Sequence, residues 1–204
     1  FRITVKRSQE YPMTSMEAEK ELGAELLRHG INMKGKMVDP DLNINVEIFA
    51  KHCYFSYEKI KGAGGLPPNT GGKMVALISK GIDSPVSAYR MIRRGARIIF
   101  LHFHAYPYTE KQDIENVKEL IKILSEYQLD TKVYLVAFGD IQKKIATDQN
   151  IPAKLRVIFY RKLMFRIAEI IAHKEDAKGI VTGESFAQVA SQTANNICAI
   201  QDGI

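Results

Sequence analysis

The chain has 204 residues, 46% of them apolar and 25% charged, with a formal net charge of +6. That balance suits a globular protein with a real core, and the sequence holds no internal repeat, low-complexity tract or disulfide framework. The longest apolar runs, 74–78 and 98–103, are strand-sized, and no charged-then-apolar leader opens the sequence, so no membrane partner is expected.

Two cysteines, Cys53 and Cys198, stand far apart and fit neither a disulfide framework nor a zinc-ligand spacing. They read as buried or idle thiols in a reducing, cytoplasmic compartment. The excess of Lys and Arg favours a polyanionic partner weakly, since solvated basic faces are common in proteins that bind no nucleic acid. Residue 1 enters strand-like alternation without a Met, and the last residues leave a helix and its exit turn. The chain is therefore expected to be a piece of something longer.

Residues 1–6 alternate as a strand. Ser15 is expected to cap a helix, with Ala18 three residues on and Glu17 and Glu19 in the first turn. Leu22, Leu26 and Leu27 supply its apolar stripe and Gly30 ends it. Residues 43–49 and 52–58 follow as short strands, alternating through Ile44, Val46 and Ile48, then Tyr54 and Tyr57. Together these make a small α+β module that looks incomplete. Segment 61–73 then holds five of the chain's fourteen glycines and two of its seven prolines, too many for a helix or central strand. It reads as an interdomain connector.

Beyond the connector the rhythm changes. Strands are expected at 75–78, 97–103, 132–138 and 180–182, and helices at 85–94, 113–127, 141–147, 153–173 and 185–197. Strands without alternation, separated by helices, imply a parallel sheet covered on both faces. Ligands of such sheets bind beyond the carboxyl ends of the strands.

The first of these strands runs into Ser79-Lys80-Gly81-Ile82-Asp83-Ser84-Pro85, where a helix starts. Glycine and small hydroxyl residues let backbone N–H groups turn inward, and Pro85 suits a first helical turn. The positive end of that helix favours an anion. The spacing is not that of a Walker A loop. The plainer alternative is a strand-to-helix turn capped by Asp83 or Ser84; the position on the first strand of a parallel sheet favours phosphate.

The order Ser-x-Gly-x-Asp-Ser resembles the PP-loop ATP pyrophosphatases, whose motif is Ser-Gly-Gly-x-Asp-Ser. Further segments are similar to the tRNA 4-thiouridine synthetase branch of that group: Leu101-His102-Phe103-His104, Pro107-Tyr108-Thr109, Thr182-Gly183-Glu184-Ser185, Gln188-Val189-Ala190-Ser191-Gln192-Thr193 and the Gly-Gly-Leu-Pro of the connector. The first sixty residues resemble the C-terminal half of a THUMP domain, the RNA-binding module of this branch. The resemblance covers nearly the whole chain. It implies an α/β fold, a PP-loop parallel sheet with flanking helices over 74–204 (truncated at its C-terminus), a linker at 61–73 and a partial THUMP module at 1–60.

The resemblance also implies roles. Asp83 matches the loop aspartate tied to catalysis, holding magnesium or positioning phosphates, with Ser79, Lys80, Gly81, Ile82 and Ser84 around the ATP phosphates. Leu77 and Ile78 match the strand end whose backbone meets the adenine or ribose. His102 and Phe103 match a second strand end, where the backbone reads the adenine edge. Arg161, Gly183 and Gln192 match the remaining nucleotide contacts. ATP and Mg²⁺ are thus the implied cofactors, with no side-chain cluster for a metal beyond Asp83. The implied partners are tRNA and a persulfide sulfur donor such as a cysteine desulfurase, and a homodimer is compatible with the family.

Each residue has a plainer reading. His102 and Phe103 could be core residues, Arg161 one of several solvated bases with Arg156, Lys162 and Arg166, and Glu184 a helix cap. The resemblance shifts Arg161 and Gly183 to function. Two departures stand out. Lys80 replaces a glycine of the motif, acceptable only if its backbone is in an ordinary region; its ammonium would then sit beside the triphosphate. The branch's sulfur-carrying cysteine lies beyond the last residue here, so neither Cys53 nor Cys198 takes that role. The expected function is an ATP-dependent tRNA sulfurtransferase that adenylylates a uridine carbonyl oxygen on the way to 4-thiouridine, with a related role in supplying sulfur for the thiamine thiazole. Another adenylylating PP-loop enzyme, a non-catalytic RNA-binding relative and a sulfur-relay scaffold without adenylylation are the alternatives.

Overall fold

The apolar alternation of the first residues forms β1 (Arg2–Arg7), which buries Ile3 and Val5 and turns Arg2, Thr4 and Lys6 outward. The computed structural model describes residues 1–30, 32–49, 51–185 and 193–201 of this chain. They form two compact units, Phe1–Gly62 and Ala63–Ile204.

In the first unit, β1 pairs in parallel with β2 (Asn43–Phe49), which pairs antiparallel with β3 (His52–Ser56). Helix α1 (Ser15–Arg28) packs Ala18, Leu22 and Leu26 against Ile3, Val5 and Val46. Leu27, expected in the same stripe, is 51% exposed, because the packed face follows 18, 22 and 26 and leaves 27 to the side. The cap is Thr14, not Ser15. Its side chain accepts a hydrogen bond from the Glu17 N–H at 3.2 Å, and the Glu17 carboxylate accepts from the Thr14 N–H at 2.8 Å. That reciprocal box satisfies two N–H groups at the helix start, which Ser15 with Ala18 could not do. Every residue of β3 is exposed, Tyr54 included, and so is Tyr57 after it.

The second unit contains β4 (Lys73–Leu77), β5 (Arg97–His104), β6 (Lys132–Ala137) and β7 (Ile180–Val181), all parallel, in the order β6-β5-β4-β7. Helices α2 (Asp83–Ile92) and α3 (Gln112–Ser125) cover one face, packing Ala88, Ile92, Val117 and Ile121 onto Ala76, Ile98 and Phe100. Helix α5 (Arg156–Glu175) covers the other, packing Ala168, Ile171 and Ala172 onto Val75, Ile99 and Leu101. Fully burying a side chain such as Phe100 stabilises by about 1.5–3 kcal/mol. Both faces of β4 and β5 are thus dry, which is why they lack alternation. Helix α4 (Gly139–Thr147) follows β6, and a short 3₁₀ turn (Ala153–Leu155) leads into α5.

The Gly/Pro segment is bound down over much of its length. The N–H of Leu66 donates to the Arg93 carbonyl at 2.9 Å, and that of Gly71 to the Gly95 carbonyl at 2.8 Å. Gly65 has φ +99, and a Cβ there would run into the Arg93 carbonyl group. The expected helix 185–197 is found only in part. Ser185 is not helical, 186–192 lie outside the described residues, and α6 spans Ala194–Gln201. Both cysteines are exposed rather than buried.

Candidate functional site

The turn after β4 closes on itself through its hydroxyls. The Ser79 N–H donates to Ser84 Oγ at 2.9 Å, the two hydroxyls lie 3.1 Å apart, and the Gly81 N–H donates to Ser79 Oγ at 3.3 Å. Helix α2 begins at Asp83, two residues earlier than expected, so Pro85 falls inside its first turn, where a missing N–H costs no helical bond. The N-cap residue, Ile82, makes no side-chain cap bond, and Asp83 sits in the first turn at the positive end of the helix dipole.

The turn borders a cavity of about 330 Å³ at the carboxyl ends of β4, β5 and β7. This is where the strand order reverses, because β5 lies on one side of β4 and β7 on the other. Leu77, Ile78, Ser79, Gly81, Asp83, Ser84, His102, Phe103, Arg161 and Gly183 all line it. Arg161 reaches it from α5 and pairs with Glu184 at 2.5 Å, both side chains being about three-quarters or more buried. The approach is that of charges in contact, since Arg161 Nη1 makes no well-directed hydrogen bond. Gly183 sits so near the start of α2 that a Cβ would lie 2.6 Å from Ser84 Cα. His102 is buried, and its Nδ1 lies 2.9 Å from the Ile78 carbonyl oxygen. Burial, ahead of any neighbouring charge, pushes its pKa below the ordinary value.

A family model described as "Thiamine biosynthesis protein (ThiI)" matches residues 69–204, and one described as "THUMP domain" matches residues 1–58. The chain belongs to the ThiI family. It is 40% identical to a protein named "Probable tRNA sulfurtransferase" from Thermus thermophilus over 98% of this chain and 49% of that protein. It is equally identical to one of the same name from Caldanaerobacter subterraneus, over 97% of this chain and 51% of that protein. A crystal structure described as a 4-thiouridine synthetase–RNA complex with bound ATP superposes with a TM-score of 0.77 at 33% identity, covering 98% of this chain and 52% of that one. The chain thus spans about half the length of the curated relatives it matches.

Not all the residues singled out as ThiI-like fall in the main cavity. Ile82 is 77% exposed and borders neither the main cavity nor the neighbouring one, because the helix start carries it outward. Gln192 lies outside the described residues. Lys80 has no positive φ, so the glycine it replaces is not needed for conformational freedom. Its ammonium, expected beside a triphosphate, is not among the groups that line the main cavity. It pairs instead with Asp113 on α3 at 2.9 Å, at the wall of a second cavity of about 240 Å³. The carboxylate draws the ammonium away, and its hydrogen bond raises the Lys80 pKa.

Met164 and Phe165 of the main cavity, and Asp113 and Gln142 of the second, were missed by sequence reasoning, while His104 and Thr109 of the second stood only within the family-like segments, with no role attached. Met164 and Phe165 stand three and four residues after Arg161 on α5, so helical spacing from Arg161 could have found them. Among the described residues no group of three or more His, Cys, Asp or Glu could hold a metal by itself, and no helix is long and apolar enough to cross a membrane. Magnesium is commonly bound through one or two carboxylates plus substrate phosphates, and Asp83 beside the turn fits that use.

Proposed function

We propose that the chain supplies the tRNA-docking and ATP-activating parts of a tRNA uridine sulfurtransferase. The observation that carries this reading is the main cavity, where the turn Ser79–Ser84, the strand end at His102 and Phe103, and the distant Arg161 and Gly183 converge. The 4-thiouridine synthetase with bound ATP and RNA, which it resembles over nearly its whole length, supports the same assignment.

In this reading ATP lies along the carboxyl ends of β4 and β5, its adenine against the backbone at His102 and Phe103 and its phosphates over the turn. Asp83, together with the phosphates, would hold magnesium, whose charge would offset that of the phosphates. Arg161 keeps N–H donors beyond those facing Glu184 for a phosphate oxygen. The hydroxyl contacts within the turn hold its shape, and the N–H groups of the first turn of α2 are fixed before the reaction, so they stabilise the charge that develops on the α-phosphate without reorganising. A uridine carbonyl oxygen attacks that phosphorus, pyrophosphate leaves, and AMP stays on the base. The terminal sulfur of a persulfide, supplied by a donor such as a cysteine desulfurase, then attacks C4 and displaces AMP, and a second thiol takes the inner sulfur as a disulfide to release the thiocarbonyl. The THUMP unit docks the tRNA backbone, with an affinity that falls as salt rises. Supply of sulfur for the thiamine thiazole belongs to the same reading, as does a cytoplasmic location.

The deciding experiment is tRNA-dependent exchange of labelled pyrophosphate into ATP by the intact protein. Exchange should require tRNA and Mg²⁺ and fall about 100-fold or more in Asp83→Ala. Exchange that needs a different acceptor would point to another adenylylating enzyme. No ATP binding at millimolar Mg²⁺ would favour the non-catalytic relative.

A further inference from the structure

Beside the main cavity lies the second one, and the two share Ser79, His102, Phe103 and Met164. It lies beyond the carboxyl ends of β5 and β6. Phe103 and Phe138 meet edge to face in its wall with centroids 5.4 Å apart, and Gln142 adds an amide from α4. Its volume, about 240 Å³, falls below the span of about 300–1,000 Å³ usual for drug-sized ligands and suits one flat ring.

His102 is 8% exposed and lines this cavity. A carbonyl oxygen can only accept, so the contact from Nδ1 to the Ile78 oxygen places the imidazole proton on Nδ1. Nε2 then carries a lone pair, is buried, and has no partner among the described residues. A buried acceptor left unmet is costly, which favours a ligand that brings an N–H to it.

We propose that the second cavity receives the uracil ring of the acceptor nucleotide, with its N3–H donated to His102 Nε2. This rests on the reading of the main cavity as the ATP site. The arrangement distinguishes pyrimidines: uracil carries a proton on N3, whereas neutral cytosine would set a lone pair against the lone pair of Nε2. It also serves the reaction. As O4 attacks the α-phosphorus, the O–P bond forms, the anhydride bond to the β-phosphate breaks, and pyrophosphate leaves with its electron pair. N3 loses its proton as the N3–C4 double bond forms, and His102 Nε2 accepts that proton. Burial favours the neutral imidazole that this requires.

The test uses tRNA carrying 4-thiouridine at the modified position as a photocrosslinking probe on the intact protein, with ATP affinity measured on the same preparation. Crosslinks should map to residues 102–109 or 138–142. His102→Asn keeps a donor for the Ile78 carbonyl and removes the acceptor, so it should lower the crosslink yield about tenfold. Gln142→Ala, on a half-exposed helix position that lines the second cavity and not the main one, should also lower the yield while changing the ATP Kd less than about threefold, and it keeps the test open if the buried variant misfolds. Crosslinks confined to other segments overturn the proposal. A matching loss of ATP affinity in Gln142→Ala also overturns it, by assigning the second cavity to the nucleotide. If the wild-type protein binds no ATP, the nucleotide reading fails and the proposal with it.

Discussion

Gly183 approaches Ser84 so closely that a Cβ on it would lie 2.6 Å from the Ser84 Cα and 2.7 Å from the Asp83 carbonyl carbon. The exit of β7 therefore rests on the first turn of α2 through bare backbone. Gly183 has no positive φ, so the demand is for space and not for conformation. Gly183→Ala should push the two segments apart at a cost of about 1–3 kcal/mol and weaken ATP binding about tenfold or more. Calorimetric titration with ATP, alongside a thermal melt, separates the loss of affinity from the loss of stability.

Arg161 and Glu184 form the one ion pair among the described residues whose partners both line the main cavity. Arg161→Ala removes the cation and leaves Glu184 as an unpaired negative charge facing the phosphates, so ATP affinity should drop about tenfold or more. Glu184→Gln removes the negative charge and keeps the guanidinium, and its loss should be smaller. An equal loss in the two variants would show that the pair matters only for shape.

The Lys80–Asp113 pair joins the turn to α3 at the surface. Exposed pairs contribute little to stability. Lys80→Gly, which restores the residue usual in the motif, should leave the melting temperature nearly unchanged and the ATP Kd within about threefold. A large gain in affinity would mean that the ammonium or its partner obstructs the nucleotide.

His102 carries a pH prediction. Burial depresses its folded-state pKa below the ordinary 6.5, so the native state binds the proton less readily than the unfolded chain does. This group's share of stability is complete above about pH 6.5 and is lost as pH falls below that value toward the lowered folded pKa. His102→Asn should flatten the fall in urea midpoint between about pH 7 and pH 5. An unchanged slope would assign the acid sensitivity to other groups.

In the first unit, the Thr14–Glu17 box makes a simpler claim. Thr14→Ala should cost about 1 kcal/mol, visible as a lower denaturant midpoint, whereas Ser15→Ala should cost much less because Ser15 already lies inside the helix.

Much of the second unit was legible in the residues. Uninterrupted apolar strands at Val75–Ile78 and Ile98–Leu101 announce a sheet buried on both faces, and the strand end at 79–84 announces a strand-to-helix turn, which borders the main cavity, because both signals are local in the chain. The helix expected from Ser185 shows the limit: Ser185 is not helical, and regular structure resumes at Ala194.

The sequence by itself thus determined the family, the parallel sheet and the turn, since periodicity and motif spacing are properties of neighbouring residues. Only the tertiary structure decided which groups meet. Gly183 needs to be glycine because Ser84 lies against it, and Arg161 belongs to the cavity because α5 carries it there to face Glu184. Lys80 is turned from the cavity of the turn because a carboxylate 33 residues away holds its ammonium. Those contacts join segments distant in the chain, where the sequence carries no spacing to read and only packing sets the distance.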